Sequence, residues 1–392
     1  MKAGWQIKTL GEVLERTETV NPLQSPESEF DYIDVSSVSN VTFQVEQTQR
    51  LKGKDAPSRA RKLVKTNDVL FATIRPTLRR IAIVPPHLDK QVCSTGYFVL
   101  RSKPMLDHRF MYYWLFAEAF MGQMEALQKG ASYPAVTDKE VRDQSIPFPP
   151  LPEQQRIVAI LDEAFDGIAT ARANAEKNLQ NARAIFESHL QSVFTQRGDG
   201  WVDKRLAEVC AITSMLVDPR KAEYLGLTHV GAGNIESKTG AFVELKTVRE
   251  EGLISGKFLF DESMVLYSKI RPYLMKVARP DFNGLCSADM YPLAPLPGAI
   301  SRDFLFYLLL SKPFTDYAIQ GSARAGMPKV NREHLFEFRV WLPSMEEQNE
   351  LGRKLDDLHE ETQRLESLYQ RKLTALDELK KSLLAQAFSG AL

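Results

Sequence analysis

The 392-residue chain predicts an α/β (α+β) protein built by tandem duplication. Two globular domains are expected, separated by two long helices that form an antiparallel coiled coil, with pseudo-two-fold symmetry between the halves. Three observations carry this. Short segments recur in the same order 193 to 196 residues apart, each half reads as strands followed by helix, and each ends in a long proline-free helical stretch.

The recurrences run the length of the chain. "WQIKTLGEVLE" from Trp5 matches "WVDKRLAEVCA" from Trp201, and Ile-Arg-Pro at 74–76 returns at 270–272, both 196 residues on. "CSTGYFVL" at Cys93 answers "CSADMYPL" at Cys286, and Pro134 in "GASYPAV" answers Pro328 in "SARAGMPKV". "PPLPEQQRIVAILDE" at 149–163 answers "PSMEEQNELGRKLDD" at 343–357, and Phe194 answers Phe388. The segments follow as domain one at 1–148, a helical spacer at 149–197, domain two at 198–341 and a second helical spacer at 342–392.

Within each half the elements are read in order. Strands are expected at "DYIDVSSV", "DVLFATI", "RIAIV" and "GYFVL" in the first half, and at "LTHVGAG", "SMVLYSKI" and "MYPLA" in the second. One helix follows in each, "DHRFMYYWLFAEAFMGQMEAL" capped by Asp107 and "SRDFLFYLLLSKPFTDYAI" capped by Ser301. A short strand then meets a proline boundary, "SIPFPPLP" or "FRVWLPS".

The long helices span about 153–194 and 346–388, with Gly167 and Gly352 their only glycines. In the second, Leu351, Leu355, Leu358, Thr362, Leu365, Tyr369, Lys372, Leu376, Leu379 and Leu383 alternate steps of four and three, the spacing of a coiled-coil seam. Ile157, Leu161, Ala164, Ile168, Ala171, Ala175 and Ala182 give the first a seam of smaller residues. At about 1.5 Å per residue such a helix reaches roughly 63 Å, enough to act as a spacer between the domains.

Composition excludes several classes. Cys93, Cys210 and Cys286 form no disulfide framework and no zinc spacing, so a reducing cytoplasm is expected. The N-terminal residues lack an apolar signal core, and no run approaches 18 apolar residues, so a soluble protein is expected. The six histidines are scattered, and neither a GxxxxGK[ST] loop nor a GxGxxG is present. "PFPPLP" lacks the amide or acid and the aromatic of the tetrapeptide that amino-methyltransferases use to grip a flipped base, and reads as a domain boundary. No catalytic residues and no metal ligands are expected, and the chain is read as a non-enzyme.

Lys+Arg and Asp+Glu both number 50, but the charges are unevenly placed. Residues 50–80 carry ten basic side chains against two acidic ones, a concentration suited to phosphate binding. Proline after Arg75 and Arg271 pushes those arginines into extended or turn geometry at a strand end. Arg59, Arg61, Arg75, Thr77, Arg79 and Arg80 in the first half, and Lys269, Arg271, Tyr273 and Lys276 in the second, are therefore the expected DNA contacts. The loops "KGASYPAV" and "QGSARAGMPKV" add Ser132, Tyr133, Ser322, Arg324 and Lys329, a mixture suited to phosphates and base edges. "TLRR" after the first Ile-Arg-Pro and "YLMK" after the second, including Met275, are the expected seat of base choice.

"PPLPEQQRIVAILDE", its echo "PSMEEQNELGRKLDD" and the ending "LKKSLLAQAFSGAL" resemble the specificity (S) subunit of type I restriction–modification systems. The resemblance covers essentially the whole chain in that family's order, with "SMEEQ" departing slightly from the usual proline–Glu–Gln helix start. It implies two target-recognition domains reading a bipartite site in double-stranded DNA, and no catalytic activity in this chain. It also implies two methyltransferase (M) subunits docked through the conserved helices, here at Gln154, Arg156, Gln348 and Arg353, with restriction (R) subunits joining them. S-adenosylmethionine, ATP and Mg would be bound by those partners, with no cofactor in this chain. Two other readings stay open: a non-enzymatic DNA-binding scaffold or regulator outside restriction–modification, and a purely structural coiled-coil adaptor.

Overall fold

The computed structural model describes residues 4–196, 198–322 and 327–392. The chain forms two compact units, one of Met1–Glu176 with Arg371–Leu392 and the other of Lys177–Gln370. Each comprises one globular domain and one half of each long helix.

In the first unit the strand Gln6–Thr9 pairs antiparallel with Ser145–Phe148, setting Gln6 opposite Phe148. In the second, Val202–Arg205 pairs with Arg339–Leu342, setting Val202 opposite Leu342. Both registers are the same once the repeat offsets are applied. The tryptophan-led segment thus closes each domain onto the strand that leads into its long helix.

The rest of each domain is two small sheets. The first unit has a four-stranded sheet with Glu29–Ile33 parallel to Val92–Ser94, and a three-stranded antiparallel one centred on Val69–Ala72. The second has a five-stranded sheet with Thr228–Val230 parallel to Gly284–Cys286, and a four-stranded one in which Val265–Ser268 lies between Met290–Pro295 and Val277–Ala278. The expected strands are present, with one change of kind. "VSS" at 35–37 and "AGN" at 232–234 curl into 3₁₀ turns instead of prolonging their strands.

Each expected domain helix is two helices: α1 (His108–Trp114) and α2 (Glu118–Leu127) in the first unit. The long helix α3 (Leu151–Thr195) follows, then α4 (Arg302–Leu310) and α5 (Lys312–Gln320), and last α6 (Met345–Ser389). The caps at Asp107 and Ser301 are as expected. The α4–α5 break follows from Pro313, which has no N–H for Leu309, while the Ser311 hydroxyl accepts from Phe314 N.

These helices lie between sheet and long helices. Phe71 packs on Phe120 with ring centroids 5.4 Å apart, and the repeat-equivalent Tyr267 packs on Phe314 at 5.4 Å. On the other face Phe388, near the end of α6, meets Phe110 at 5.1 Å, and Phe194, near the end of α3, meets Phe304 at 5.0 Å. The recurrence of phenylalanine at 194 and 388 has this packing role.

Within each unit α3 and α6 run antiparallel. Arg156 reaches the Leu392 carbonyl at 2.8 Å and Arg172 meets Asp377 at 2.5 Å in one, and Arg183 meets Glu366 at 2.9 Å in the other. The expected seam holds on α3, where Ile157, Leu161, Ala175 and Ala182 are buried. On α6 it drifts. Leu355 and Thr362 are buried, but Leu365, Lys372 and Leu379 face outward, and Leu373 and Leu384 take their place. The buried positions Thr362, Leu373 and Leu384 are 11 residues apart, a different period from the heptad spacing read from the leucines.

Candidate nucleic-acid interface

The two Ile-Arg-Pro turns have the same backbone. Arg75 and Arg271 both have φ 50°, with ψ 58° and 61°, in the left-handed region that non-glycine residues seldom enter. Buried Pro76 and Pro272 then open single 3₁₀ turns, which close on Arg79 and Met275 with φ 53° and 50°. The geometry is a turn, one of the two outcomes expected for a residue before proline. Strained residues persist only where surrounding bonds over-determine them, and here the Gly-containing loops provide the bonds. Arg75 N–H donates to the Pro134 carbonyl at 2.7 Å and Val136 N–H to Thr73 at 2.9 Å. Arg271 N–H donates to Pro328 at 2.9 Å and Val330 N–H to Lys269 at 2.8 Å.

A third segment joins the rim of each domain, since Thr73 N–H donates to Gly96 at 2.9 Å and Lys269 N–H to Asp289 at 3.0 Å. Gly96 allows a close approach: a Cβ there would lie 2.5 Å from Val35 Cγ2. Turn, loop and third segment therefore converge at one edge of each domain, which joins two clusters that sequence reading had only placed side by side.

The side chains divide into those facing solvent and those holding the rim together. Arg75, Thr77, Ser132 and Tyr133 are exposed in the first unit, as are Arg271 and Tyr273 in the second. The Arg75 guanidinium lies 4.9 Å above the Tyr133 ring and donates to the Ser132 carbonyl at 3.1 Å. Arg59 is exposed, and its carbonyl accepts from Thr95 N–H at 2.8 Å, which brings it beside the third segment.

Other expected contacts are engaged by groups of the fold. Arg80 donates to the carbonyls of Val35, Ser36 and Val38, and its equivalent Lys276 to Ala232 at 2.6 Å, so both fasten the 3₁₀ turn of the neighbouring sheet. Arg79 pairs with Glu118 at 3.2 Å, Met275 packs against the core, and Arg61 bonds the Ala60 carbonyl at 3.0 Å. Ser322 is buried, its hydroxyl donating to Ile319 at 2.9 Å. Lys269 lies largely buried over Tyr291, its ammonium on the Ala288 carbonyl, and burial beside Lys329 pushes its pKa down. Arg324 lies outside the described residues. The contrast between "TLRR" and "YLMK" thus narrows to Thr77 against Tyr273, because Arg79 is held in an ion pair with Glu118 and Arg80, Met275 and Lys276 are engaged within the fold.

The basic strip at 50–80 is also less positive than its composition suggests. Arg50 pairs with Glu29 at 3.3 Å and Asp31 at 3.0 Å, Lys52 and Lys54 with Glu27 at 3.3 and 3.5 Å, and Lys65 with Glu18 at 2.9 Å. The acidic excess of residues 1–49 supplies these partners, so a linear count of charge misplaces the patch.

The glutamines expected to meet a partner protein do not face outward. Gln154 is fully buried, donating to the carbonyls of Met105 at 3.1 Å and Pro149 at 2.9 Å while accepting from Asp107 N–H at 2.8 Å. Gln348 repeats this with Ala299, Pro343 and Ser301 N–H at 3.3, 3.0 and 2.8 Å. Each ties the start of a long helix to the cap of the domain's first helix. Arg156 and Arg353 are exposed, Arg156 pairing with Glu153 at 2.7 Å and Arg353 bonding the Asn349 carbonyl at 3.2 Å. Sequence reading missed a second repeated tie: the Tyr113 hydroxyl donates to Asp162 at 2.5 Å, and Tyr307 to Asp356 at 2.6 Å. Both pairs keep the 194-residue offset, which was the available signal.

The cysteines are buried and free, their thiols pushed up to about 12 by burial. Among the described residues no cluster of His, Cys, Asp and Glu could hold a metal ion, and no helix is long and apolar enough to cross a membrane.

Comparison with known proteins agrees with this arrangement. The sequence matches the type I restriction modification DNA specificity domain twice, at residues 2–179 and 198–374. It is 29% identical over 326 residues to the Escherichia coli type I restriction enzyme EcoDI specificity subunit, covering 74% of this chain and 71% of that one. The solved HsdS subunit from Thermoanaerobacter tengcongensis is 28% identical with a TM-score of 0.71, over 100% of this chain and 98% of the other. A chain solved in work on complex assembly and conformational transition of the type I R-M system is 27% identical with a TM-score of 0.83, over 100% and 99%.

Proposed function

The chain belongs to the type I restriction modification DNA specificity family, and from that premise we propose that it selects the DNA site for a type I restriction–modification complex without doing chemistry itself. Each domain reads one half of a bipartite site in double-stranded DNA, leaving an unread gap between the halves. The complex contains two methyltransferase subunits, joined by restriction subunits for cleavage. S-adenosylmethionine, ATP and Mg are bound by those partners, and the complex works in the cytoplasm.

One observation carries the reading: the two rims share a backbone yet present different side chains outward. Shared backbone suits contacts that position a duplex, and differing side chains suit the reading of different base edges. Arg75 and Arg271 anchor phosphates, and Thr77 and Tyr273 face different base pairs. For the methyltransferase, the helices offer exposed Ile185, Leu365, Leu368 and Leu379, while buried Gln154 and Gln348 hold those helices in place.

The test is to co-express the chain with its methyltransferase subunit and map adenine methylation across a genome. A bipartite motif is expected, one half of which changes when residues 1–148 are exchanged. A single contiguous motif, or none, overturns the proposal. Arg75→Gly and Arg271→Gly sharpen it, because glycine keeps the left-handed backbone while deleting the cation. Each variant of the complex is expected to bind all duplexes more weakly and to lower the slope of log affinity against log salt by about 0.9.

A further inference from the structure

The two rims differ most in charge at three equivalent positions. In the first unit these are Thr73, Gly96 and Ala135, and in the second Lys269, Asp289 and Lys329. Asp289 Oδ1 lies 3.5 Å from the Lys329 ammonium and 4.0 Å from that of Lys269. Its backbone carbonyl bonds Lys269, and Ile270 bridges to Lys329 beside exposed Arg271. The carboxylate is thus built into the edge where the turn and loop converge, and its side chain stays 48% exposed.

A lone carboxylate on a DNA-facing surface would repel phosphates. Here two lysines, Lys269 and Lys329, lie within 4.0 Å of it, so the cluster remains net positive and still attracts the backbone. Both lysines approach the same oxygen, Oδ1. Oδ2 takes part in no hydrogen bond among the described residues. A carboxylate is an acceptor only, and the base edge that matches it in the major groove is the exocyclic amine of cytosine. Lys269 in turn is fixed from below by the Ala288 carbonyl and the Tyr291 ring at 5.2 Å, so the acceptor sits on a rigid support.

We propose that Asp289 is a specificity-determining residue of the second domain, accepting a hydrogen bond from a cytosine N4 amine at one position of its half-site. The first domain has Gly96 there and reads no base by this means. The inference rests on the DNA-reading function proposed above.

The experiment measures binding of the methyltransferase-containing complex to duplexes carrying each base in turn at every position of the mapped site. The wild-type complex is expected to require cytosine at one second-half position. Asp289→Ala should lower discrimination there by about 10- to 100-fold, with preference at every other position unchanged. Asp289→Asn, which adds a donor while keeping the shape, should shift preference at that position toward adenine. Should either variant bind all duplexes more weakly with every ratio intact, Asp289 only braces Lys329 and the proposal is overturned. It is equally overturned if both variants keep the wild-type motif. A wild-type complex with no bipartite preference fails the functional reading itself, an outcome distinct from these.

Discussion

The two units share their backbone bonds but only some of their side-chain pairs. In the first, buried Arg101 forks onto Asp68 at 2.9 and 2.8 Å, their side chains only 10% and 2% exposed. The equivalent residues of the second unit are Met264 and Ala294, which belong to an apolar cluster. Where α1 of the first unit offers Arg109 to Asp162 at 2.6 Å, the second has Asp303, and the cation for Asp356 comes from Arg279, at the place of Ile83. Lys380 lies 5.0 Å over Phe165 in one unit, and in the other their equivalents Phe186 and His359 pack at 4.8 Å, a phenylalanine standing in the lysine's place. After duplication, interior pairs have been exchanged as pairs, whereas the turn clamps, the buried glutamines and the Tyr–Asp ties have stayed.

The largest effect is expected at the exchanged ion pair. Asp68→Ala leaves the buried Arg101 guanidinium with half-exposed Glu18 as its carboxylate partner and should destabilise the first unit by about 3 kcal/mol. Importing the other unit's solution, Asp68→Met with Arg101→Ala, should recover most of that loss, since well-packed apolar groups commonly replace buried pairs without cost. Urea unfolding followed by circular dichroism reads both. A double variant no more stable than the single would break the equivalence drawn between the two sites.

The next effect tests what stayed the same. Gln154→Ala and Gln348→Ala each leave a buried N–H and two carbonyls without their side-chain partner. Each should cost about 2–3 kcal/mol, and the two costs should agree within about 0.5 kcal/mol because the bonds are the same. Costs differing twofold would show that the ties, though duplicated, are not equally stressed.

Much of this architecture was legible in the sequence because a duplication reports shared geometry. Ile-Arg-Pro marked equivalent turns twice, though not their left-handed backbone, and the matching phenylalanines marked helix ends that pack on a domain. What stayed hidden depended on side-chain direction. Arg80 and Thr77 lie three residues apart on one turn, yet one fastens a neighbouring 3₁₀ turn and the other faces solvent. Gln154 was expected to meet a partner because the family resemblance implies docking through the conserved helices, but membership of such a helix does not separate buried ties from docking surfaces. The α6 seam was misread where leucines occur at both heptad and 11-residue spacings, and packing chose the latter. Charge counted along the chain overstated the basic strip because its acidic partners come from earlier in the sequence.

The smallest effect separates the units by pH. Glu18 bonds Arg101 at 2.6 Å and Lys65 at 2.9 Å, and these cations, Arg101 foremost, hold its carboxyl down at about 2 from an ordinary 4.5. The equivalent residue of the second unit is Ser214, which does not titrate in this range. A carboxyl whose folded pKa lies below its unfolded value stabilises the fold fully above the unfolded value, and that contribution is lost as pH falls through the folded one. The first unit should therefore lose this increment between about pH 4.5 and 2. Glu18→Gln should lower stability at pH 7 only slightly, because the side chain is solvent-exposed and screened. The difference between wild type and variant should then shrink as pH approaches 2. A difference constant with pH would show that Glu18 contributes through packing alone, and the contrast with Ser214 would then carry no electrostatic content.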